Sequence, residues 1–215
     1  DPVGIDGDID GHLNAVFAVA ARRGVGVDIH LHDGGESGLT QMRAIAERTR
    51  VLGLQGRVAI SHGFALGNGP ADQVLRTCGQ LGEAGVALMS HGPGGAAMPP
   101  LKVLADHGVR LFAGSDNIRD AWSPFGNGDM LDRSMMIAYR ANFRHDHELL
   151  FALGMATEGA ALVLGLADYG LRPGAPADLV AVDAPSPVEA IVTRPRRRMV
   201  MRAGRVVARD GQFVG

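Results

Sequence analysis

Cysteine is almost missing from this chain. Cys78 stands alone among 215 residues, so no intramolecular disulfide can form and nothing points to an oxidising compartment. It falls in a helical segment, 71–83, where it reads as a small core residue. An excess of one charge is also missing: 21 Lys and Arg face 23 Asp and Glu, a formal net charge of −2. That balance removes the electrostatic case for nucleic acid or an anionic membrane as partner. The one basic cluster, Arg194, Arg196, Arg197 and Arg198, lies between a Pro-containing turn and an apolar strand, and reads as a solvated edge. No apolar run approaches the ~20 residues of a membrane span, and no segment has the pattern of a secretory signal. The expectation is a soluble, cytoplasmic protein. The chain opens at Asp1 without methionine, so the natural start is expected upstream.

What the chain does have is apolar bulk and a repeating rhythm. Hydrophobic residues make up 46%, enough for a substantial core in an ordinary globular protein. Periodicity predicts a helix over 12–23, a strand over 25–30, and a helix from about 40 to 52. Strand 57–61 leads through a Gly-rich loop, 63–69, into helix 71–83. Strand 85–89 leads to a helix from about 99 to 107, and strand 109–113 opens a long loop, 114–128. Helices follow at about 129–142 and 145–164. Alternating strand and helix require parallel strands with crossover helices. Strand ends recur about every 27 to 32 residues, as in a (β/α)8 barrel.

After Gly165 the character changes. Residues 171–178 form a turn-rich linker, and 179–182, 190–192, 198–201 and 205–208 read as short strands, with Ala203-Gly204 as a hairpin turn. Residues 1–168 are therefore assigned to a partial barrel and 169–215 to a small β appendage. About 170 residues precede the appendage, whereas a complete barrel needs about 250. Four strands are clear, and residues 1–11 are the place for the end of a fifth. The chain is thus expected to be the C-terminal part of a longer enzyme, or to close against another copy, since open sheet edges are avoided.

The ends of the strands carry the chemistry. His30 and His62 terminate strands 25–30 and 57–61, and Asp116 follows strand 109–113. Parallel α/β folds collect catalytic groups at that end of the sheet. Two imidazoles and a carboxylate suit one divalent ion, Zn²⁺ or Fe²⁺. Asp33, three residues past His30, is placed to move protons between water and leaving group. Glu36 competes for that role, and His32 is open between loop, supporting group and ligand. His91 follows strand 85–89, and its position leaves open whether it lines the pocket or turns away from it. Asn117, Trp122 and Phe125 suit a flat, hydrogen-bonding heterocycle, unless the loop packs on its own apolar residues. His12, His107, His145 and His147 read as surface groups.

The segments Asp28-Ile29-His30-Leu31-His32-Asp33, Ser61-His62, Gly114-Ser115-Asp116-Asn117 with Trp122-Ser123-Pro124-Phe125-Gly126-Asn127-Gly128-Asp129-Met130, and Gly174-Ala175-Pro176-Ala177-Asp178-Leu179-Val180 together resemble the cytosine-deaminase-like branch of the amidohydrolase superfamily, over nearly the whole chain. The resemblance implies a mononuclear metal in a distorted (β/α)8 barrel, with a β-sandwich built from both chain ends. It implies that His30 and Asp116 bind metal, that His62 binds metal or contacts the bound water and substrate, and that Asp116 also takes a proton. Asp33 falls where cytosine deaminase has a proton-shuttling glutamate, and Asn117 and Trp122 fall at substrate-contacting positions. The family's first His-X-His has no counterpart before residue 30, and His30-Leu31-His32 lies at the family's fifth strand. The expected function is hydrolytic removal of an amine from a pyrimidine- or triazine-like ring, in a homo-oligomer. The alternatives are cyclic or acyclic amide hydrolysis, or an incomplete fragment that binds a ligand or partner.

Overall fold

The computed structural model describes residues 1–215, the side chain of Asp6 excepted. It divides into two compact units, Asp1–Gly114 and Ser115–Gly215. In the first unit, helices α1 (Pro2–Asp6) and α2 (Ile9–Arg23) precede strand β1 (Val27–Leu31). Then come α3 (Gly35–Val51), β2 (Val58–His62), α4 (Ala65–Asn68), α5 (Ala71–Glu83), β3 (Ala87–Ser90), α6 (Leu101–Asp106) and β4 (Arg110–Ala113). The strands form one parallel sheet in the order β1-β2-β3-β4, the adjacency that the sequence rhythm predicts.

Burial explains the pattern. In β1, Val27, Ile29 and Leu31 face inward while Asp28 and His30 are exposed, the period-2 alternation of a strand with one covered face. β2 and β3 are buried along their whole length, as inner parallel strands are. Leu39, Met42 and Ile45 of α3 and Cys78 and Leu81 of α5 are fully buried, and the two helices pack on each other. Loss of one of these leucine, isoleucine or methionine side chains to alanine costs about 2–5 kcal/mol.

Three expectations for this unit are corrected, one being the loop over 63–69, within which Ala65–Asn68 form α4. Residues 1–11 hold no strand end: α1 occupies the first residues and α2 starts at Ile9, its first turn capped by the Asp8 carboxylate, which accepts from Gly11 N–H at 3.0 Å. Helix α3 starts at Gly35 rather than near Thr40. Gly38 permits this, because a Cβ there would lie 2.1 Å from the Asp33 carbonyl oxygen and 2.6 Å from Ala65 Cβ. A poor helix former in isolation is thus required by close packing.

The second unit begins with the loop 115–128 and continues through α7 (Met130–Arg140), α8 (Asp146–Gly154), a π-helical turn (Met155–Gly159) and α9 (Ala160–Val163). Strand β5 (Leu179–Val182), helix α10 (Pro187–Thr193) and strands β6 (Arg197–Arg202), β7 (Arg205–Arg209) and β8 (Gln212–Phe213) complete it. β5 to β8 form a four-stranded antiparallel sheet in chain order, with Ala203 and Gly204 both at positive φ in the hairpin turn. The strand expected over 190–192 is instead part of α10. Ser186 caps that helix by accepting from Glu189 N–H at 3.1 Å, and Pro187 stands at its first position. These start signals outweigh the β propensity of Ile191 and Val192. Three of the clustered arginines pair with carboxylates: Arg197 with Asp129, Arg194 with Asp132 at 3.4 Å, and Arg198 with Asp183 and Asp210 at 3.0 and 3.1 Å.

Candidate metal centre

The C-terminal ends of β1 and β2 gather imidazoles. The register pairs His30 with Ser61 and Leu31 with His62, so regular alternation sets Ser61 on the face of His30 and His62 on the opposite, buried face. Ser61 obeys this rule, its hydroxyl donating to Asp28 Oδ1 at 3.2 Å. His62 does not: its φ is 77°, a left-handed backbone that costs a non-glycine residue about 1–3 kcal/mol. The ring of His62, 3% exposed, lies beside that of His30, with Nε2 3.1 Å from His30 Nδ1. Strain at this one residue coincides with the approach of two nitrogens that suit a shared ion.

His32 joins them. Its N–H donates to Asp1 Oδ1 at 2.5 Å and its Nδ1 lies 2.7 Å from Asp1 Oδ2, while its ring centroid is 4.1 Å from that of His62. His30, His32 and His62 each offer one nitrogen, all within 4.8 Å of one another. His91, half-buried, stands with its ring 5.2 Å from His62 and 6.3 Å from Phe64. Four histidines from β1, β2 and the residues just past β1 and β3 therefore share one neighbourhood. The donor set fits a borderline divalent ion such as zinc or ferrous iron.

The carboxylates divide by their partners. Asp33 accepts from Gln41 Nε2 at 2.8 Å, and Gln41 Oε1 accepts from Val3 N–H at 3.2 Å. Gln41 is fully buried, a polar side chain held in the core by these bonds and by longer ones from Nε2 to the Ser37 carbonyl and hydroxyl at 3.5 and 3.4 Å. Sequence reasoning passed over it; the signal was a glutamine among the buried residues Leu39, Met42 and Ile45 of one amphipathic helix. Glu36, exposed, accepts from Gln73 Nε2 of α5 at 2.9 Å. It lies inside the first turn of α3 rather than before the helix.

Asp116 belongs to the second unit and is exposed, with φ 60°. Arg133 of α7 is 9% exposed and donates from Nη2 to the Ser115 carbonyl at 2.8 Å. Burial pushes the Arg133 guanidinium below its ordinary range, while attraction to Asp116 and Asp132 opposes that shift. The loop beyond is ordered by polar bonds: Asp120 accepts from Asn117 Nδ2 at 2.5 Å, Trp122 N–H at 2.9 Å and Ser123 N–H at 3.1 Å. Those bonds, the Asn117 contact foremost, hold the Asp120 carboxyl below the usual carboxylate range. Trp122 and Phe125 are 88% and 77% exposed, so the loop does not pack on its own apolar residues. Among the described residues, no helix is long and apolar enough to cross a membrane.

Comparison with known proteins converges on one family. A model described as "Amidohydrolase family" matches residues 5–214. The chain is 33% identical to N-isopropylammelide isopropyl amidohydrolase of Pseudomonas sp. (strain ADP), over 100% of this chain and 53% of that protein. It is 28% identical to a pterin deaminase of Rhizobium rhizogenes, over 94% of this chain and 49% of the relative. Among solved structures, N-isopropylammelide isopropylaminohydrolase from Burkholderia multivorans superposes with a TM-score of 0.96 at 42% identity, covering 100% of this chain and 55% of that one. 5-Methylcytosine deaminase from Klebsiella pneumoniae gives 0.84 at 25% identity, over 96% and 54%. The chain thus spans about half the length of the relatives it matches.

Proposed function

The chain belongs to the amidohydrolase family, and from that premise we propose that the protein carrying it is a metal-dependent hydrolase that releases an amine from a ring carbon of a nitrogen heterocycle. One observation carries the reading: the approach of His62 Nε2 to His30 Nδ1 at 3.1 Å, at the C-terminal ends of adjacent parallel strands. The names of the similar proteins, an N-isopropylammelide isopropyl amidohydrolase and deaminases of pterin and 5-methylcytosine, agree with it.

In this proposal His30, His62 and Asp116 hold one divalent ion, zinc or iron. A bound ion of this kind brings the pKa of water from about 16 to roughly 7 and so supplies hydroxide at neutral pH. Asp33 receives a proton and returns it to the departing amine, its carboxylate oriented by Gln41. Asp116 serves as a second proton acceptor. Asn117, Trp122 and His91 bind and orient the ring, with Trp122 as the aromatic face. β1 and β4 are the outer strands of their sheet, and further strands of the same protein close it into a (β/α)8 barrel, with β5 to β8 as one part of a β-sandwich. A homo-oligomer belongs to the same proposal.

The test uses the full natural protein loaded with zinc, with metal quantified on the same sample. Amine release is assayed with cytosine, isocytosine and N-alkylamino-triazines, beside a cyclic amide. Turnover of the amino-heterocycles is expected. Turnover of the cyclic amide alone moves the activity to amide hydrolysis, and no turnover by a metal-replete sample contradicts the proposal.

A further inference from the structure

The geometry points to Asp120 as a positioning residue that fixes which hydrogen-bonding atom Asn117 offers to a ligand, so that the site selects rings carrying an N–H donor. This rests on the proposed placement of Asn117 at the substrate. An ionised carboxylate only accepts hydrogen bonds. Asp120 Oδ2 therefore takes the amino end of the Asn117 amide, at 2.5 Å, and turns the carbonyl end, Oδ1, away. Asp120 Oδ1 is engaged separately by the N–H groups of Trp122 and Ser123, at 2.9 and 3.1 Å. The two oxygens thus divide their tasks: one holds the turn, the other orients Asn117.

The turn itself is fixed at both ends. Asp120 N–H donates to the Ser123 carbonyl at 3.0 Å, and Arg119 N–H donates to the Phe125 carbonyl at 3.0 Å. Gly126 closes the loop at φ 105°, where a Cβ would lie 2.3 Å from the Asn117 carbonyl oxygen. Asn117 is consequently preset before any ligand arrives, and so is its polarity: an acceptor atom, Oδ1, faces away from Asp120. An acceptor complements an N–H on a ring edge and leaves an N-methyl edge unpaired.

Substitution separates the two tasks. Asp120→Asn retains a carbonyl oxygen for Trp122 and Ser123 N–H but sets an amino group against Asn117. The Asn117 amide then turns over, and its own amino group replaces Oδ1. Asp120→Ala removes all three bonds and loosens the loop without choosing a polarity.

The experiment is calorimetric binding to the full, zinc-loaded protein of uracil and cyanuric acid, unreactive rings with N–H donors, and of their N-methylated counterparts. Wild type is expected to prefer the N–H rings by about 10- to 100-fold. Asp120→Asn should melt like wild type and lose that preference, whereas Asp120→Ala should weaken both ring types alike. Equal discrimination in wild type and Asp120→Asn, or none in wild type, overturns the inference. Turnover of amino-heterocycles, measured in parallel, separates the two proposals. N–H selectivity that depends on Asp120 without turnover supports this inference while contradicting the hydrolase; turnover without such selectivity does the reverse.

Discussion

Replacing Gln41 by leucine removes the bonds to Asp33 and Val3, and the longer ones to Ser37, while keeping the side chain's approximate volume. Gln41 is fully buried, donates to the Asp33 carboxylate at 2.8 Å and accepts from Val3 N–H at 3.2 Å. The bond to a charged group contributes about 1.5–3 kcal/mol and the main-chain bond about 1 kcal/mol. Leucine returns part of this through about 1–2 kcal/mol of apolar transfer. The net loss is then about 1–3 kcal/mol, which for a domain of this size lowers the melting temperature by roughly 2–12 °C. Urea unfolding followed by circular dichroism reads the shift in midpoint, with an unchanged slope showing that the unfolded state is unaltered. Gln41→Glu, which sets a second carboxylate against Asp33, should cost more at neutral pH than leucine does. Turnover should fall in both variants, because Asp33 loses the donor that orients it. A Gln41→Leu protein as stable and as active as wild type refutes the assignment of Gln41 as the support of Asp33.

Asp33→Asn should lower turnover by about 10² to 10⁴ while zinc content stays close to wild type, whereas Glu36→Gln, whose carboxylate pairs with Gln73 on the helix surface, should change turnover little; steady-state kinetics beside metal analysis compares them. The thiol of Cys78 is fully buried, and burial raises its pKa, so a disulfide reagent should label native protein far more slowly than protein in denaturant. The Asp120 carboxyl is held low by Asn117 and the turn N–H groups, so its contribution to stability is present above the ordinary aspartate range, about 3.9, and is lost as pH falls through the lower native value. An NMR titration should give it a midpoint below that of a free aspartate.

The sheet was legible because apolar runs such as Val58–Ile60 are bounded by polar or Gly-containing segments, and because strand and helix alternate at regular spacing. What misled was local propensity that tertiary context overrode. Ala190-Ile191-Val192 has a strand's composition, yet Ser186 and Pro187 start a helix there. Gly35 and Gly38 argue against a helix, yet close packing on Asp33 and Ala65 requires Gly38, and Gly35 opens the helix at a positive φ of 57°. The histidines were legible as residues at strand ends, and their identities suffice to suggest a metal. The means of convergence was not legible, because period-2 alternation assigns His62 to the wrong face. Only the left-handed backbone at His62 brings its ring to His30, and the neighbouring Gly63 is the sole hint of a turn. Likewise, the role of Asp120 follows from which N–H groups its carboxylate collects, a pattern that residue spacing does not encode.

Anomalous diffraction at the zinc edge from crystals of the full natural protein grown with zinc tests the central claim most directly. A single peak should lie about 2.0–2.1 Å from one ring nitrogen of His30 and one of His62. No peak near these histidines, with His62 Nε2 still hydrogen-bonded to His30 Nδ1 at the 3.1 Å seen here, would contradict it.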